Sequence, residues 1–462
     1  MEAPHRSLWL REALGDAPPE PPLAGAAQAD VAILGGGFVG LWTAIELKRR
    51  DPACDVVVLE RDVCGGGASG RNGGMVLSWW PKLSSLVARC GAEEAVRLGR
   101  ASAAAVEAIG AFCGEHGIAA DYRRGGFLWT ATTPAHVGAW DGVLAACEAH
   151  GVEAFERLGP QEVARRSGSP AHLAGVFDPV AATVQPAKLA RGLRRVALGL
   201  GVRIHEATPA LRFTRERPLR VDTPRGSVRA EKLVIAMNAW AAELPELRRA
   251  LVVVSSDIVA TAPIPDRLAE IGWTGGEGIT DSHMMVAYYR TTADGRIAFG
   301  KGTASVTFRG RVGRAFDRSD ARAAMTAADL RRYYPMLADV PLEQAWGGPI
   351  DRTPTSLPML GHLGGRDHLV YGIGWSGNGV GPSHVGGKVL AGLVLGDPEA
   401  RACGLVDQEP DPFVPEPARY LGAQVVRAAV IRKERAEAAN RPPRKLAVRV
   451  AALAPAGLED KG

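Results

Sequence analysis

The 462-residue chain is poor in cysteine and has no CxxC pair: Cys54, Cys64, Cys90, Cys113, Cys147 and Cys403 stand far apart. That spacing argues against a disulfide framework and against a structural zinc site, so the six read as reduced thiols and no metal is expected. No stretch approaches ~18 uninterrupted apolar residues. The N-terminus, MEAPHRSLWLREALGDAPPEPP, carries charges throughout and lacks the apolar run of a secretory signal. No membrane insertion is expected, and a cytoplasmic location follows by default. Internal repeats and low-complexity tracts are also absent, apart from an alanine bias. What remains is the composition of an ordinary globular protein, 46% hydrophobic and 23% charged. The length exceeds what one core usually serves, and two interleaved domains are expected.

The formal net charge of +5 is unevenly placed. From Pro415 onward ten Lys and Arg face five Asp and Glu, so the tail carries the whole excess and the body is balanced. A concentrated basic segment raises a nucleic-acid or anionic-surface reading. This one has Tyr420 as its sole aromatic, which argues against RNA binding, and it reads as a solvated or oligomer-contacting helix face. A homo-oligomer is therefore a candidate assembly, and no nucleic-acid partner is expected.

Hydrophobic patterning places the elements. A Pro/Ala-rich run from Ala17 to Ala27 reads as an arm or linker. Asp30–Leu34 reads as a strand, Val39–Arg50 as a helix and Val56–Leu59 as a second buried strand, a βαβ unit with parallel order. Ala92–Phe112 and Pro134–Ala149 look helical, with Gly126–Thr130 strand-like between them. Lys188–Leu200 reads as a helix feeding the strand Val202–His205, and Leu233–Ala236 and Leu369–Gly374 as further strands of the first sheet. Leu251–Val254, Met284–Tyr289 and Arg296–Phe299 suggest a separate antiparallel sheet. The expected architecture is α/β: a Rossmann-type nucleotide-binding domain (30–82, 160–245, 346–400) interleaved with an α+β substrate or cap domain (83–159, 246–345). It is preceded by an arm (1–29) and followed by a basic, partly helical tail (401–462).

The chemistry-bearing motif is Gly35-Gly36-Gly37-Phe38-Val39-Gly40, set between a strand and a helix. Gly35 permits the tight turn, Gly37 lets a pyrophosphate approach the backbone, and Gly40 lets helix and strand pack closely. Glu60 lies twenty residues beyond Gly40 at the end of the second strand, where its carboxylate suits a ribose diol. The run Cys64-Gly-Gly-Gly67-Ala68-Ser69-Gly70-Arg71-Asn72-Gly73-Gly74-Met75 can pass its backbone N–H groups against a flat or charged ligand.

Taken together, GGGFVG, Glu60-Arg61 and GASGRNGG resemble the D-amino-acid oxidase superfamily of FAD flavoenzymes, which includes glycine and sarcosine oxidases. Leu233-Val-Ile-Ala236-Met-Asn238-Ala-Trp240 is similar to that superfamily's strand and turn, with Met237-Asn238 in place of its usual Thr-Gly. Tyr371-Gly-Ile-Gly374-Trp-Ser-Gly377-Asn378-Gly379-Val380-Gly381 resembles its C-terminal flavin motif, and the next helix would turn its positive end toward the reduced flavin. Within the superfamily the chain resembles most the γ-glutamylputrescine oxidase-like amine oxidases, through GASGRNGGM, Tyr289-Arg290, Ala345-Trp346-Gly347-Gly348 and Pro415–Gly422.

The resemblance implies FAD as cofactor. It is expected to be non-covalent, since Trp346–Gly361 has no cysteine and Leu41–Arg50 no histidine. Ala210 is expected near it. The implied reaction is oxidation of a C–N bond in a primary or secondary amine by hydride transfer to flavin N5. The imine would hydrolyse to an aldehyde, and O2 or another acceptor would reoxidise the flavin, with O2 giving H2O2. Tyr288, Trp346 and Trp375 are the expected substrate-positioning aromatics. Ala298 stands where sarcosine-oxidase-like members place an oxygen-activating lysine, and Lys301 is the nearby candidate. Gly348 stands where amino-acid oxidases carry a carboxylate-binding arginine, which favours an amine, with Arg352 and Arg290 as other carboxylate anchors and Asp351 a partner for a neighbouring arginine. The alternatives are an amino-acid or 2-hydroxy-acid oxidase or dehydrogenase, a tRNA-modifying flavoprotein, and a flavin-bearing subunit of a larger complex.

Overall fold

In the computed structural model, which describes residues 5–15 and 18–455, two sheets organise the chain. The apolar runs Val31–Leu34, Val56–Leu59 and Leu233–Ile235 have no polar face, as suits strands covered on both sides. They form the centre of the first sheet, whose order is Met359–His362, Leu369–Ile373, Gly226–Ile235, Gly25–Leu34, Val56–Leu59, Arg203–His205. The last five run parallel and Met359–His362 is antiparallel. The helices Phe38–Arg50, Pro186–Gly199 and Pro382–Leu395 cover one face.

The second sheet runs Leu342–Arg352, Val252–Thr261, Ile297–Lys301, Ala287–Thr291, Gly278–Thr280, Phe127–Ala131, Ala174–Asp178, Glu156–Leu158. Its pairings are antiparallel except for Gly278–Thr280 beside Phe127–Ala131. Two strands cross the boundaries drawn from sequence. Ala174–Asp178, from the segment assigned to the nucleotide side, pairs with Phe127–Ala131. Leu342–Arg352 stays hydrogen-bonded to Val252–Thr261 well past residue 346.

Pro134–Ala149 is not one helix. A turn of 3₁₀ helix at Pro134–His136 is separated from the helix Asp141–Ala149 by Gly138 at φ +86°, a left-handed residue that α-helix cannot include.

The N-terminal region is docked, in contrast to the arm read from sequence. Helix Leu8–Leu14 is capped by the Ser7 hydroxyl, which accepts from the Leu10 N–H (3.1 Å), and Leu8, Trp9 and Leu10 are buried. The first strand begins at Gly25, paired with Gly226. Residues 1–4 and 16–17, including the first residue of the Pro/Ala-rich run, lie outside the described residues, as do tail residues 456–462 with Glu459, Asp460 and Lys461.

The tail forms helices Ala418–Ala438 and Lys445–Ala451. Two of its acids turn inward: Glu434 and Glu437 are buried, and Glu434 accepts from the Met285 N–H (2.7 Å), while Arg432 and Arg435 are exposed. Among the described residues no helix is long and apolar enough to cross a membrane.

Candidate cofactor and substrate site

The glycine turn sits where the strand Gly25–Leu34 hands over to the helix Phe38–Arg50. A Cβ on Gly40 would lie 2.0 Å from the Gly35 carbonyl oxygen, so strand and helix can pack this closely only with glycine there. Ala236, at the end of the neighbouring strand, donates to Leu34 O (2.9 Å) and borders Gly35. The Ser69 hydroxyl lies over Gly37 and accepts from the Phe38 N–H (2.9 Å), which joins the glycine-rich loop to the helix N-terminus. Val39 is buried beneath the turn.

Glu60 is buried and takes two backbone donors, Gly36 N–H (2.8 Å) and Asp62 N–H (2.9 Å). Burial, helped by nearby Asp62 and Glu206, raises its pKa to about 7 against the pull of those two bonds. Cys64 is buried beside it, and burial with the Glu60 and Glu206 charges holds its thiol protonated.

In the glycine-rich loop, Ala68, Ser69 and Gly70 form a 3₁₀ turn, and Asn72 ties it back by donating to Ala68 O and Ser69 O while accepting from the Gly74 N–H. Arg71 pairs with Asp317 (2.7 Å) and donates to Gly66 O. Gly74 has φ +75°, and a Cβ there would lie 2.1 Å from Val184 O. Gly67 abuts the Trp240 ring, with the Arg61 guanidinium 5.0 Å from that ring's centroid. Met75 packs against Gly278.

Asn238, Gly374 and Asp351 converge from three segments. Asn238, at φ +48°, donates to Asp351 Oδ1 (2.8 Å), and the Gly374 N–H donates to Oδ2 (2.5 Å). Asp351 therefore pairs with these groups and not with an arginine as the sequence suggested; burial raises its pKa to about 7. Asn378 donates to Ser78 O (3.0 Å), and Gly377 and Gly379 flank it ahead of the helix Pro382–Leu395, with Val380 buried. Asn238 Oδ1, Trp240 Nε1 and Asn378 Oδ1 are buried with no hydrogen-bond partner among the described residues. Buried polar atoms are normally satisfied. These three, with glycine-lined approaches beside them, fit a polar, planar cofactor such as FAD. Ala210 packs against the apolar cluster on the other face of the first sheet, as does Met237 beside Asn238.

The substrate-side candidates separate. Tyr288 is half-buried, its ring against Gly73 and Gly300, its hydroxyl 2.6 Å from Ser256 Oγ, and burial raises its pKa, so the phenol is neutral. Trp346 is fully buried, donates to Arg71 O (3.0 Å) and packs edge-on to Trp9 (centroids 5.6 Å), so it helps hold the loop. Trp375 packs between Gly379 and Gly386 in the helix-side core.

Lys301 faces away from the loop. Successive strand residues point to opposite faces. Tyr288 and Gly300 stand opposite each other, and so do Arg290 and Ala298, so Lys301 takes the other face. There it is buried and bonds Asp329 (2.5 Å); burial lowers its pKa, but Asp329, Glu434 and Asp281 outweigh this and the net shift is upward. It is thus buried on the face of the second sheet away from the glycine-rich loop. Arg290 is buried and donates to Gly73 O (2.8 Å), Val184 O (2.5 Å) and Thr291 O (3.1 Å). Arg352 donates to Ser356 Oγ (3.2 Å). Sequence reasoning missed Asp351 as a bridge between flavin-side turns, and Ser256 and Trp9 altogether, because none sits in a local motif.

A parallel sheet with a glycine turn at the first strand end, an acid at the second and a side-chain-bearing antiparallel sheet beside them defines a dinucleotide-binding oxidoreductase. The chain belongs to the family of FAD dependent oxidoreductases designated DAO, whose model matches residues 30–393. Its cofactor is FAD. It is 27% identical over 390 residues to a probable oxidoreductase OrdL of Haemophilus influenzae, covering 82% of this chain and 86% of that one. It is 27% identical to the gamma-glutamylputrescine oxidoreductase of Escherichia coli over 398 residues, covering 86% and 90%. The crystal structure of glycine oxidase from Geobacillus kaustophilus shares the fold, with a TM-score of 0.67 at 24% identity over 80% of this chain and 95% of that one. The chain is thus an FAD-dependent oxidoreductase related to amine and amino-acid oxidases.

Proposed function

We propose that the protein oxidises the C–N bond of a primary or secondary amine. The observation that carries this reading is the commitment of Arg290. Three of its five N–H groups, one on each guanidinium nitrogen, donate to backbone carbonyls, which holds the side chain on the loop backbone and away from the role of a free α-carboxylate clamp. Gly348, opposite Ser256 on the neighbouring strand, offers no charge in its place. Burying a carboxylate without a partner costs several kcal/mol. The similarity to gamma-glutamylputrescine oxidoreductase points the same way.

Bound FAD supplies the acceptor for the hydride that leaves the carbon next to nitrogen. The chain's own part is positioning and desolvation. Tyr288 and Ser256 form a neutral hydrogen-bonding pair on the loop side of the second sheet, where they orient the amine and favour its uncharged form. Water then converts the imine to aldehyde and amine or ammonia. With O2 as acceptor, RCH2NH2, O2 and H2O give RCHO, NH3 and H2O2. A second reading, a dehydrogenase that passes its electrons to another acceptor, is favoured by Lys301 lying behind the sheet, paired to Asp329.

Anaerobic mixing with matched amines and α-carboxylated amines, read by flavin bleaching, tests the substrate class. The amine is expected to lead in kcat/KM, and a preference of about tenfold or more for the carboxylated member would overturn the reading. Peroxide release in air separates oxidase from dehydrogenase. We also propose that the flavin is non-covalent, so that acid precipitation leaves the colour in the supernatant.

A further inference from the structure

We propose that the N-terminal segment Ser7–Leu14 is a clasp that holds FAD by orienting the glycine-rich loop, with Ser7 and Trp9 as positioning residues. The inference rests on the placement of FAD against that loop. Five consecutive loop carbonyls are each held by a donor from elsewhere in the chain. Gly70 O accepts from the Ser7 hydroxyl (2.6 Å), Arg71 O from Trp346 Nε1 (3.0 Å), Asn72 O from Trp9 Nε1 (3.0 Å), Gly73 O from Arg290 Nε (2.8 Å) and Gly74 O from the Val184 N–H (2.7 Å). In a planar trans peptide the N–H points opposite to the carbonyl it is joined to. Fixing these carbonyls therefore fixes the N–H groups that follow. Those of Asn72 and Gly73 have no acceptor among the described residues. They are donors left for a ligand, as in a backbone anion nest.

A loop this rich in glycine has many conformations to lose on binding. Ordering it in advance lowers the entropy that FAD binding must otherwise meet. The clasp is itself braced. Trp9 packs edge-on against Trp346, the Arg290 guanidinium lies 5.0 Å from its ring centroid, and Gln185 Nε2 donates to Trp9 O (2.8 Å). Arg6 pairs with Asp62, two residues past Glu60. Two of the five carbonyl anchors thus come from a segment that precedes the nucleotide-binding unit.

The test uses full-length protein and measures the FAD dissociation constant together with thermal stability. The double variant Ser7→Ala/Trp9→Phe removes both donors and, with Ser7, the cap of the helix, while keeping the buried apolar side chains that pack it, and Trp9→Phe leaves the cap in place. Its FAD dissociation constant is expected to rise about tenfold or more. Trp9→Phe alone, the milder change, should move it in the same direction. Leu10→Ala, which loses only packing, should lower the melting temperature and leave the constant within about twofold. A double variant within twofold of wild type overturns the clasp, and so does a Leu10→Ala variant that loses FAD equally. Glu60→Ala in the same assay separates the two layers: if it binds FAD as wild type does, the cofactor placement itself fails, whereas if it weakens and the double variant does not, only the clasp fails.

Discussion

The two sheets meet the cofactor region in different ways. The first presents strand ends: the turn after Leu34, Glu60 after Leu59, Asn238 after Ile235 and Gly374 after Ile373. What it offers is mostly main chain, with glycines where a Cβ would collide and carboxylates that organise N–H groups. The second presents a face. Tyr288, Ser256, Gly300 and Gly348 project or clear space on its loop side, while Lys301, Phe299 and Asp257 take the opposite side with Asp329 and Arg322. Main-chain recognition of the first kind tolerates few substitutions at its glycines. A face can change one side chain and keep the fold, which suits a region that selects substrates.

The largest expected contrast is between glycines on the two sides. Gly35→Ala places a Cβ 2.5 Å from Ala236 O at φ +109°, and the purified variant should hold little or no flavin by the ratio of flavin to protein absorbance. Gly300→Ala crowds the Tyr288 ring instead, at 2.2 Å. It should retain FAD and lose kcat/KM for amine. Equal loss of flavin in both would erase the distinction between the sheets.

A middle-sized effect belongs to Glu60. Its apoprotein pKa is raised to about 7, chiefly by burial, so below that value it holds a proton, while ribose hydroxyl donors favour its anion. FAD affinity should therefore increase as pH rises through about 7, and Glu60→Gln should flatten the dependence. By linkage the apoprotein itself behaves oppositely. Between the ordinary carboxylate range and about pH 7, Glu60 and Asp351 bind more protons folded than unfolded, so apoprotein stability falls as pH rises through that window. Melting temperatures of apo and holo protein from pH 5 to pH 8 should diverge.

The smallest effect on turnover is expected at Lys301. Lys301→Met should change amine and O2 kinetics by less than about twofold, because the side chain lies behind the sheet. Stability should drop by roughly 1–2 kcal/mol, since Asp329 loses one of its two cationic partners and keeps Arg332. A large fall in the rate of reoxidation by O2, with stability kept, would put Lys301 back in the chemistry.

The sequence alone determined the cofactor side, because a glycine turn between strand and helix, an acid twenty residues on and a glycine-dense loop are local patterns whose chemistry follows from backbone geometry. The structure places Gly35, Glu60, Asn238 and Gly374 at the ends of adjacent strands. Other features depended on contacts distant in the chain. Lys301 and Gly300 are neighbours in sequence, yet strand alternation sends one behind the sheet and leaves the other beside Tyr288, so one residue of register decides which reaches the site. Trp346 packs edge-on against Trp9, 337 positions away in the chain. Asp351, beside Arg352 in sequence, bonds Asn238 and Gly374 in space. Only the tertiary structure decided these, since sheet register and the docking of a terminal helix are set by the burial of whole faces, and no short stretch of residues encodes that.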